Sequence, residues 1–292
     1  MIRIVHLITG LNVGGAEMML YKLLSTTDRL VFEPHVISMK PLGPIAEKIK
    51  TLNIPVHSLD MSKGLGLSGI SKLSSLLKKI QPQILQTWMY HADLLGSLAS
   101  KITKVDKLVW NIQHSTLSRK HSKFRTRAIV QILSRLSHSL PNKIVSCSHV
   151  GAKVHISSGY DASKISVIPN GCDLATFKPN SKARLEIRKE LMISEDEFVI
   201  GIVARFDPQK DFKNFIRAAS LLQAKTNHVS FILCGRNVND QNDQLMKWIT
   251  QYKLNRQNTR LLGPRSDIPR VLNALDLFSL TSAYGEGSPN VV

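Results

Sequence analysis

An α/β fold with parallel sheets, repeated in two successive domains, follows from three features of the 292-residue sequence. Short apolar runs rich in Ile and Val alternate with longer segments of helical period, which is the trace of strand-helix-strand units. The alternation pauses once, in NGCDLATFKPNSKAR (170–184), where turn residues and helix breakers gather, and then resumes. Length points the same way, because a chain of this size exceeds one ordinary hydrophobic core. The expected division is 1–172 and 173–292, the second part incomplete.

The opening IRIVHLI (2–8) reads as a buried strand. It is too brief for a signal sequence and leads to Gly14, Gly15 and Glu17 rather than to a cleavage site. A helix is predicted over 16–26. The strands EPHVISM, IPVHSLD, QILQT, KLVWNIQ, NKIVSCS and KISVIP follow, with helices over 68–80, 91–102 and a longer one over 122–140. Beyond the pause come FVIGIVAR, VSFILCG, RLLG and DLFSLT, alternating with helices near 212–223, 242–252 and 268–274. This second series is short and ends where another helix is due. A doubly wound sheet needs further units to cover both faces, so the chain reads as a piece of a longer protein.

Composition narrows the classes. Hydrophobic residues at 43% and charged residues at 21% give a globular chain without the charge or Pro and Gly excess of disorder. No apolar stretch is long enough to span a bilayer, so any membrane contact is peripheral. Cys147, Cys172 and Cys234 are odd in number and widely spaced, which suits thiols in a reducing compartment and fits neither a disulfide framework nor a zinc site. The net charge of +18 is unevenly spread, with 22 of the 39 basic residues but only 8 of the 21 acidic ones before Gly171. Such a field favours an anionic membrane surface, a phosphorylated small molecule or nucleic acid, and charge alone does not choose among them. Zinc-finger spacing and an RNP-type aromatic strand are both missing, so nucleic acid is not the expected partner.

In open parallel sheets ligands collect beyond the carboxyl ends of strands, and four such loops carry chemistry. In TGLNVGGAE (9–17), Gly14 and Gly15 leave the backbone bare at a helix start whose amides suit a phosphate; the same residues also make an ordinary tight turn. A nicotinamide-dinucleotide site fits less well, since G-x-G-x-x-G is absent and the second strand ends in Ser38, Met39 and Lys40 with no ribose-binding carboxylate. In VARFDPQKDFKNF (203–215), Arg205 offers a planar fork and Lys210 a compact charge, together enough to neutralise a diphosphate, although both also suit a solvated loop. In SAYGEGSPNVV (282–292), Glu286 can accept from sugar hydroxyls, and the amides of the turn at Gly287, Ser288 and Asn290 can face negative charge; a helix cap with a surface glutamate is the plainer alternative. His91 and His114 each follow a strand, where a neutral imidazole either exchanges hydrogen bonds with a sugar hydroxyl or serves the fold.

Taken in order, GLNVGGAEMMLYKLL, QTWMYHADLLGSLAS, NIQHS, VIPNGCDLATFKP, VARFDPQKDFKNFIRAA, LLGPRSDIP and EGSPNVV resemble the retaining glycosyltransferases of family four. The resemblance runs over nearly the whole chain. It implies the GT-B architecture, two Rossmann-like domains facing a cleft, and transfer of a sugar from a nucleotide diphosphate sugar to a glycan or lipid-linked acceptor in cell-surface polysaccharide or lipopolysaccharide synthesis. It also implies roles. Gly14 and Gly15 face the donor phosphates, Arg205 and Lys210 contact the diphosphate, and Glu286 lies near the donor sugar with Gly287, Ser288 and Asn290 beside it. His114 stands at the sugar and acceptor side, His91 among acceptor contacts, and Gly263 to Arg265 near the base. Glu286 matches the first glutamate of the family's E-x7-E motif, whose second falls two positions past Val292.

No D-x-D occurs, so transfer is expected to need no metal and no cofactor beyond the sugar nucleotide. Catalysis then rests on positive groups at the departing diphosphate. With retention, a phosphate oxygen takes the acceptor's proton while Glu286 and His114 orient the reactants. The basic and apolar segment STLSRKHSKFRTRAIVQILSRLSH (115–138) suits either an anionic headgroup surface or a core-facing helix with a solvated end. The thiols and this basic segment make the cytoplasm, at the inner face of the cell membrane, the expected location. Two alternatives stay open: a binding or phosphorylase-like protein on the same scaffold, and a basic nucleic-acid-binding protein.

Overall fold

A computed structural model describes residues 1–61, 67–117 and 124–287. They form two compact units, Met1–Gly171 joined by Glu286 and Gly287, and Cys172–Gly285.

The first unit contains β1 (Ile2–Ile8), α1 (Gly15–Thr26), β2 (Phe32–Ser38), α2 (Pro44–Lys50), β3 (Val56–Ser58), α3 (Leu67–Ile80), β4 (Ile84–Trp88), α4 (Tyr90–Thr103), β5 (Lys107–Ile112), α5 (Phe124–Leu136), β6 (Lys143–Ser146), α6 (His149–Ser157) and β7 (Ile165–Val167). Its sheet runs β3-β2-β1-β4-β5-β6-β7, and every pairing is parallel. Alternation along β1 explains the layers. Val5 and Leu7 point to one face, covered by Leu73 and Leu77 of α3, Leu95 and Ala99 of α4, and Val130 and Leu133 of α5. Ile8 points to the other, covered by Leu20 and Leu24 of α1 and Ile45 and Ile49 of α2. Trp88 and Trp110 are fully buried on opposite faces, each contributing on the order of 3 kcal/mol of apolar burial.

The second unit contains α7 (Ser181–Glu190), β8 (Phe198–Val203), α8 (Phe212–Gln223), β9 (Val229–Cys234), α9 (Asp243–Gln251), β10 (Thr259–Leu261), α10 (Ile268–Asn273) and β11 (Leu277–Phe278). The sheet order is β10-β9-β8-β11, again all parallel. Phe212, Phe215 and Ile216 of α8 and Leu245 and Ile249 of α9 cover one face, while Ile187 of α7 and Val271 of α10 cover the other. The chain therefore has the expected α/β class with two Rossmann-like domains.

Three helices depart from the sequence reading. α2, α6 and α7 are short, and Gly43, Ser148 and Asn180 at their starts read as loop residues until the caps are seen. Asn180 accepts from the Ala183 amide at 3.0 Å, which turns the end of the supposed linker into a helix start. α5 stops at Leu136 rather than running to 140. There Ser137 donates to Ser134 O and accepts from Asp161 N, tying the helix end to the segment before β7.

In both sheets the strand order reverses beside the first strand, between β1 and β4 and between β8 and β11. A ligand crevice is expected beyond the carboxyl ends of strands at such a point. In the second unit an ion pair rooted in a buried arginine holds β11 in place. Arg188, 1% exposed, donates to Asp276 Oδ2 at 2.7 Å and to the carbonyls of Ala274, Ser194, Glu195 and Glu197, and Arg184 takes Asp276 Oδ1 at 2.6 Å. Burial works against the Asp276 charge, but the Val199 amide and the two guanidiniums win and hold its carboxyl below the usual range.

Candidate functional site

At the carboxyl ends of β1 and β4 lies a cavity of about 320 Å³. Thr9, Gly10 and Asn12 come from the loop after β1, Glu17 from α1, Lys40 from the end of β2, Met89, Tyr90 and His91 from the start of α4, His114 from the loop after β5, and Thr126 from α5. Both predicted histidines are thus brought together. Met89, the N-cap of α4, holds φ 76° and ψ 153°, a region otherwise left to glycine. Strain of about 1–3 kcal/mol is kept there by the packing around it, which is common at ligand sites.

His114 is exposed, yet its ring stacks on buried Tyr90 with centroids 5.7 Å apart and planes 18° apart. Behind it, the Tyr90 hydroxyl meets His155 Nε2 at 2.9 Å, and His155 Nδ1 meets Gly151 O at 2.7 Å. The Gly151 carbonyl can only accept, so His155 carries its proton on Nδ1 and accepts from Tyr90 on Nε2. Burial, aided by His114, lowers the His155 pKa to about 4 against the pull of the Gly151 bond. Burial raises that of Tyr90, so the pair stays neutral. Gly151 is needed for closeness: a Cβ there would lie 3.1 Å from His114 O. Burial, then the charge of Lys40, lowers the pKa of His91. A neutral imidazole results.

The glycine loop looks different from its sequence reading. Gly14 is extended at φ −160°, a conformation open to any residue, and caps α1 without a side chain. The nearest group to a Cβ there would be the Glu17 carboxylate, the movable end of a flexible side chain. An anion at this helix start would share it with Glu17. Gly43 matters more to the shape of the site: a Cβ there would come 2.6 Å from Leu11 O, where the loops after β1 and β2 nest.

In the second unit, Arg205 is exposed, 3.3 Å from Asp207 Oδ2 and 3.2 Å from Gln209 Oε1. Lys210 ends a 3-10 turn and precedes Asp211, whose φ of 46° and side-chain bond to Asn214 N start α8. The loop after β11 is tied to this turn: Thr281 Oγ1 donates to Lys210 O at 2.9 Å and Ala283 N to Gln209 O at 2.9 Å. The switch point between β8 and β11 therefore carries Arg205 and Lys210 on a turn that is fastened to the segment leading to Glu286. Gly235, at φ 146°, admits no side chain, because a Cβ would strike Ala204 O just ahead of Arg205.

Gly263 to Arg265 are committed within the unit. Gly263 N donates to Val238 O at 2.8 Å, and the Arg265 guanidinium is held by Asp267 and Glu190. Gly287 groups with the first unit, where a Cβ would lie 3.1 Å from Ser148 Oγ. Ser288 and Asn290 lie outside the described residues. Among the described residues no group of three His, Cys, Asp or Glu side chains is placed to hold a metal, and no helix is long and apolar enough to cross a membrane. Lys40, Tyr90, Met89 and His155 acquire a place in the site only through the fold. Tyr90 adjoins His91 in TWMYHADLLG and was the most findable, whereas the Met89 backbone leaves no mark in composition.

Residues 13–176 match the family Glycosyltransferase Family 4, and residues 183–292 match Glycosyl transferases group 1. Over 259 residues the chain is 27% identical to the UDP-Gal:alpha-D-GlcNAc-diphosphoundecaprenol alpha-1,3-galactosyltransferase of Escherichia coli, covering 86% of this chain and 65% of that protein. It is 25% identical over 266 residues to the N,N'-diacetylbacillosaminyl-diphospho-undecaprenol alpha-1,3-N-acetylgalactosaminyltransferase of Campylobacter jejuni, covering 87% and 68%. The chain thus spans about two thirds of the length of these relatives. Its fold is similar to the crystal structure of Anabaena Alr3699/HepE in complex with UDP and glucose, with a TM-score of 0.80 at 23% identity, over 97% of this chain and 74% of that one.

Proposed function

The chain belongs to glycosyltransferase family 4, and from that premise we propose that it serves a hexosyltransferase moving a sugar, with retention, from a nucleotide diphosphate sugar to a glycan or lipid-linked acceptor in cell-surface polysaccharide synthesis. The observation that carries this reading is the fastened turn at the β8/β11 switch point, on which both Arg205 and Lys210 lie. As the bond between the anomeric carbon and the phosphate oxygen breaks, negative charge grows on the departing diphosphate, and these two cations stabilise it. A phosphate oxygen of the departing diphosphate takes the acceptor hydroxyl's proton as the hydroxyl oxygen bonds to the anomeric carbon. Glu286 orients the sugar, and His114 and His91 orient the acceptor hydroxyl through hydrogen bonds. The relatives from E. coli and C. jejuni, named for diphosphoundecaprenol-linked acceptors, support the acceptor class, and the UDP bound to the Anabaena protein supports the donor class.

The reaction is proposed to run without metal or further cofactor, the cations doing the work of a Lewis acid. We also place the first unit at an anionic membrane face. Phe124 is 76% exposed at the start of α5, next to Arg125, and Ile132 is exposed two turns on. The test is a transfer assay with the protein, a panel of UDP-sugars and a diphospholipid-linked sugar acceptor in anionic vesicles, with and without EDTA. Glycosylated lipid with the anomeric configuration of the donor, formed equally in both, is the expected product. Nucleotide sugar bound but never transferred would overturn the reading.

A further inference from the structure

We propose that Lys40 forms an anion subsite in the first-unit cavity, taking the phosphate ester through which a lipid-linked acceptor sugar is joined to its lipid. The assignment rests on the acceptor reading above and adds the chemical group recognised and the residue that recognises it. Lys40 is the single Lys or Arg among the described residues that line the cavity. Its backbone is fixed from three sides: its amide donates to Thr9 O at 3.2 Å, and its carbonyl accepts from Ser38 Oγ at 2.7 Å and Ser58 Oγ at 3.0 Å. The stem passes over Gly10, where a Cβ would touch Lys40 Cδ at 3.7 Å. A flexible side chain is thereby given a fixed root and a direction, which lowers the entropy lost when it binds.

Nothing among the described residues uses this charge. Lys40 makes no ion pair there, although it stands at an exposed strand end. Two neutral groups complement it. Thr9 Oγ1 is buried without a hydrogen-bond partner on the same lining, and burial and Lys40 together keep His91 uncharged, an N–H donor that adds no second cation. Glu17, the carboxylate of the lining, makes the α1 side unfavourable to an anion and leaves the β2 side as the place for it. The position has a further meaning. A dinucleotide-binding fold puts a ribose-binding carboxylate at the end of its second strand. This chain puts a lysine there, so the crevice is set for the opposite charge.

A phosphate ester could come from the donor instead, and the experiment separates the two. Binding of farnesyl diphosphate and of UDP to the full chain is measured by calorimetry for the wild type, Lys40→Ala, Lys40→Glu and Lys40→Arg, with melting temperatures to confirm folding. Lys40→Ala should weaken farnesyl diphosphate by about tenfold, Lys40→Glu more, and Lys40→Arg by less than about threefold, while UDP affinity changes by less than about twofold. Wild type that does not bind farnesyl diphosphate, an alanine variant that binds it as well as wild type, or a loss confined to UDP would each overturn the subsite. The transfer assay reads the wider function separately. Protein that transfers sugar but fails this binding test loses only the subsite; protein that binds through Lys40 yet transfers nothing loses the function and keeps the subsite.

Discussion

The two switch points share a topology and are built from opposite materials. At β1/β4 the core of the site is an aromatic stack: His114 lies on Tyr90, the Tyr90 hydroxyl meets His155, and burial keeps Tyr90 and His155 neutral, the charged groups there being Lys40 and Glu17 on the cavity lining. At β8/β11 the candidate groups are charged and held by a turn, with Arg205 exposed between Ala204 and Phe206, which pack on the core, Phe206 against Phe212 and Trp248 at 5.5 Å. A packed aromatic stack fixes direction and adds little field of its own. An exposed cation on a short turn adds field and keeps some freedom to follow a moving charge. The contrast fits a division of labour in which the first unit orients the nucleophile and the second receives the leaving group.

If the second unit supplies the charge, its cations should dominate the rate. Arg205→Ala and Lys210→Ala are each expected to lower kcat by about 10² to 10³ with little change in acceptor KM. Arg205→Lys should recover only part, since one ammonium cannot replace the planar fork. Steady-state kinetics with varied acceptor checks this. Near-parental turnover in either alanine variant would remove the second unit from the leaving-group role.

The same contrast predicts different responses to acid. His6 and His155 have folded pKa values of about 4 against 6.5 when unperturbed, lowered chiefly by burial. The unfolded chain therefore binds protons that the folded one refuses between pH 6.5 and 4. Their contribution is complete above pH 6.5 and is lost as pH falls towards 4, at about 3 kcal/mol for each. Asp93, raised well above its usual value by burial, works in the other direction and offsets part of this. In the second unit Asp267, lowered by the Arg265 bond, and Asp276, lowered by the Val199 amide and two arginines despite burial, keep their contribution until pH falls below 3.8. Hydrogen exchange should show first-unit amides losing protection from pH 6.5 to 4 while second-unit amides hold. Parallel loss in both units would contradict the assignment.

Much of this was legible in the residues, because strand periodicity and loop position are local properties. Every predicted strand appears, and Arg205, Lys210, His91 and His114 stood out in the sequence by their place just past a strand end. The features that stayed hidden depend on packing at a distance. His155 lies 41 positions from His114 in the chain, and only the fold brings α6 under Tyr90. The close approach of backbone to Gly43, in a PLGP turn that reads as plain punctuation, is likewise invisible in the sequence. Lys40 was visible, but only as the carboxylate that was missing. Its value emerged once Thr9, Gly10 and His91 stood around it.

The mildest expected effect concerns the stack itself. Tyr90→Phe keeps the ring under His114 and removes the O–H donated to His155 Nε2, leaving that nitrogen buried without a donor. The loss of one such bond costs about 1 kcal/mol of stability, while kcat should change little because the ring under His114 remains. Tyr90→Leu also removes the platform, so His114 is freed to rotate and kcat should fall further, by about tenfold, with donor KM unchanged. The pair of variants separates two roles. A tyrosine that serves only the core would lower the melting temperature in both and leave kcat alone, whereas a positioning tyrosine gives a graded fall in kcat that Tyr90→Phe largely escapes. Full turnover in Tyr90→Leu would mean that His114 needs no fixed direction, and the orienting half of the division of labour would fail.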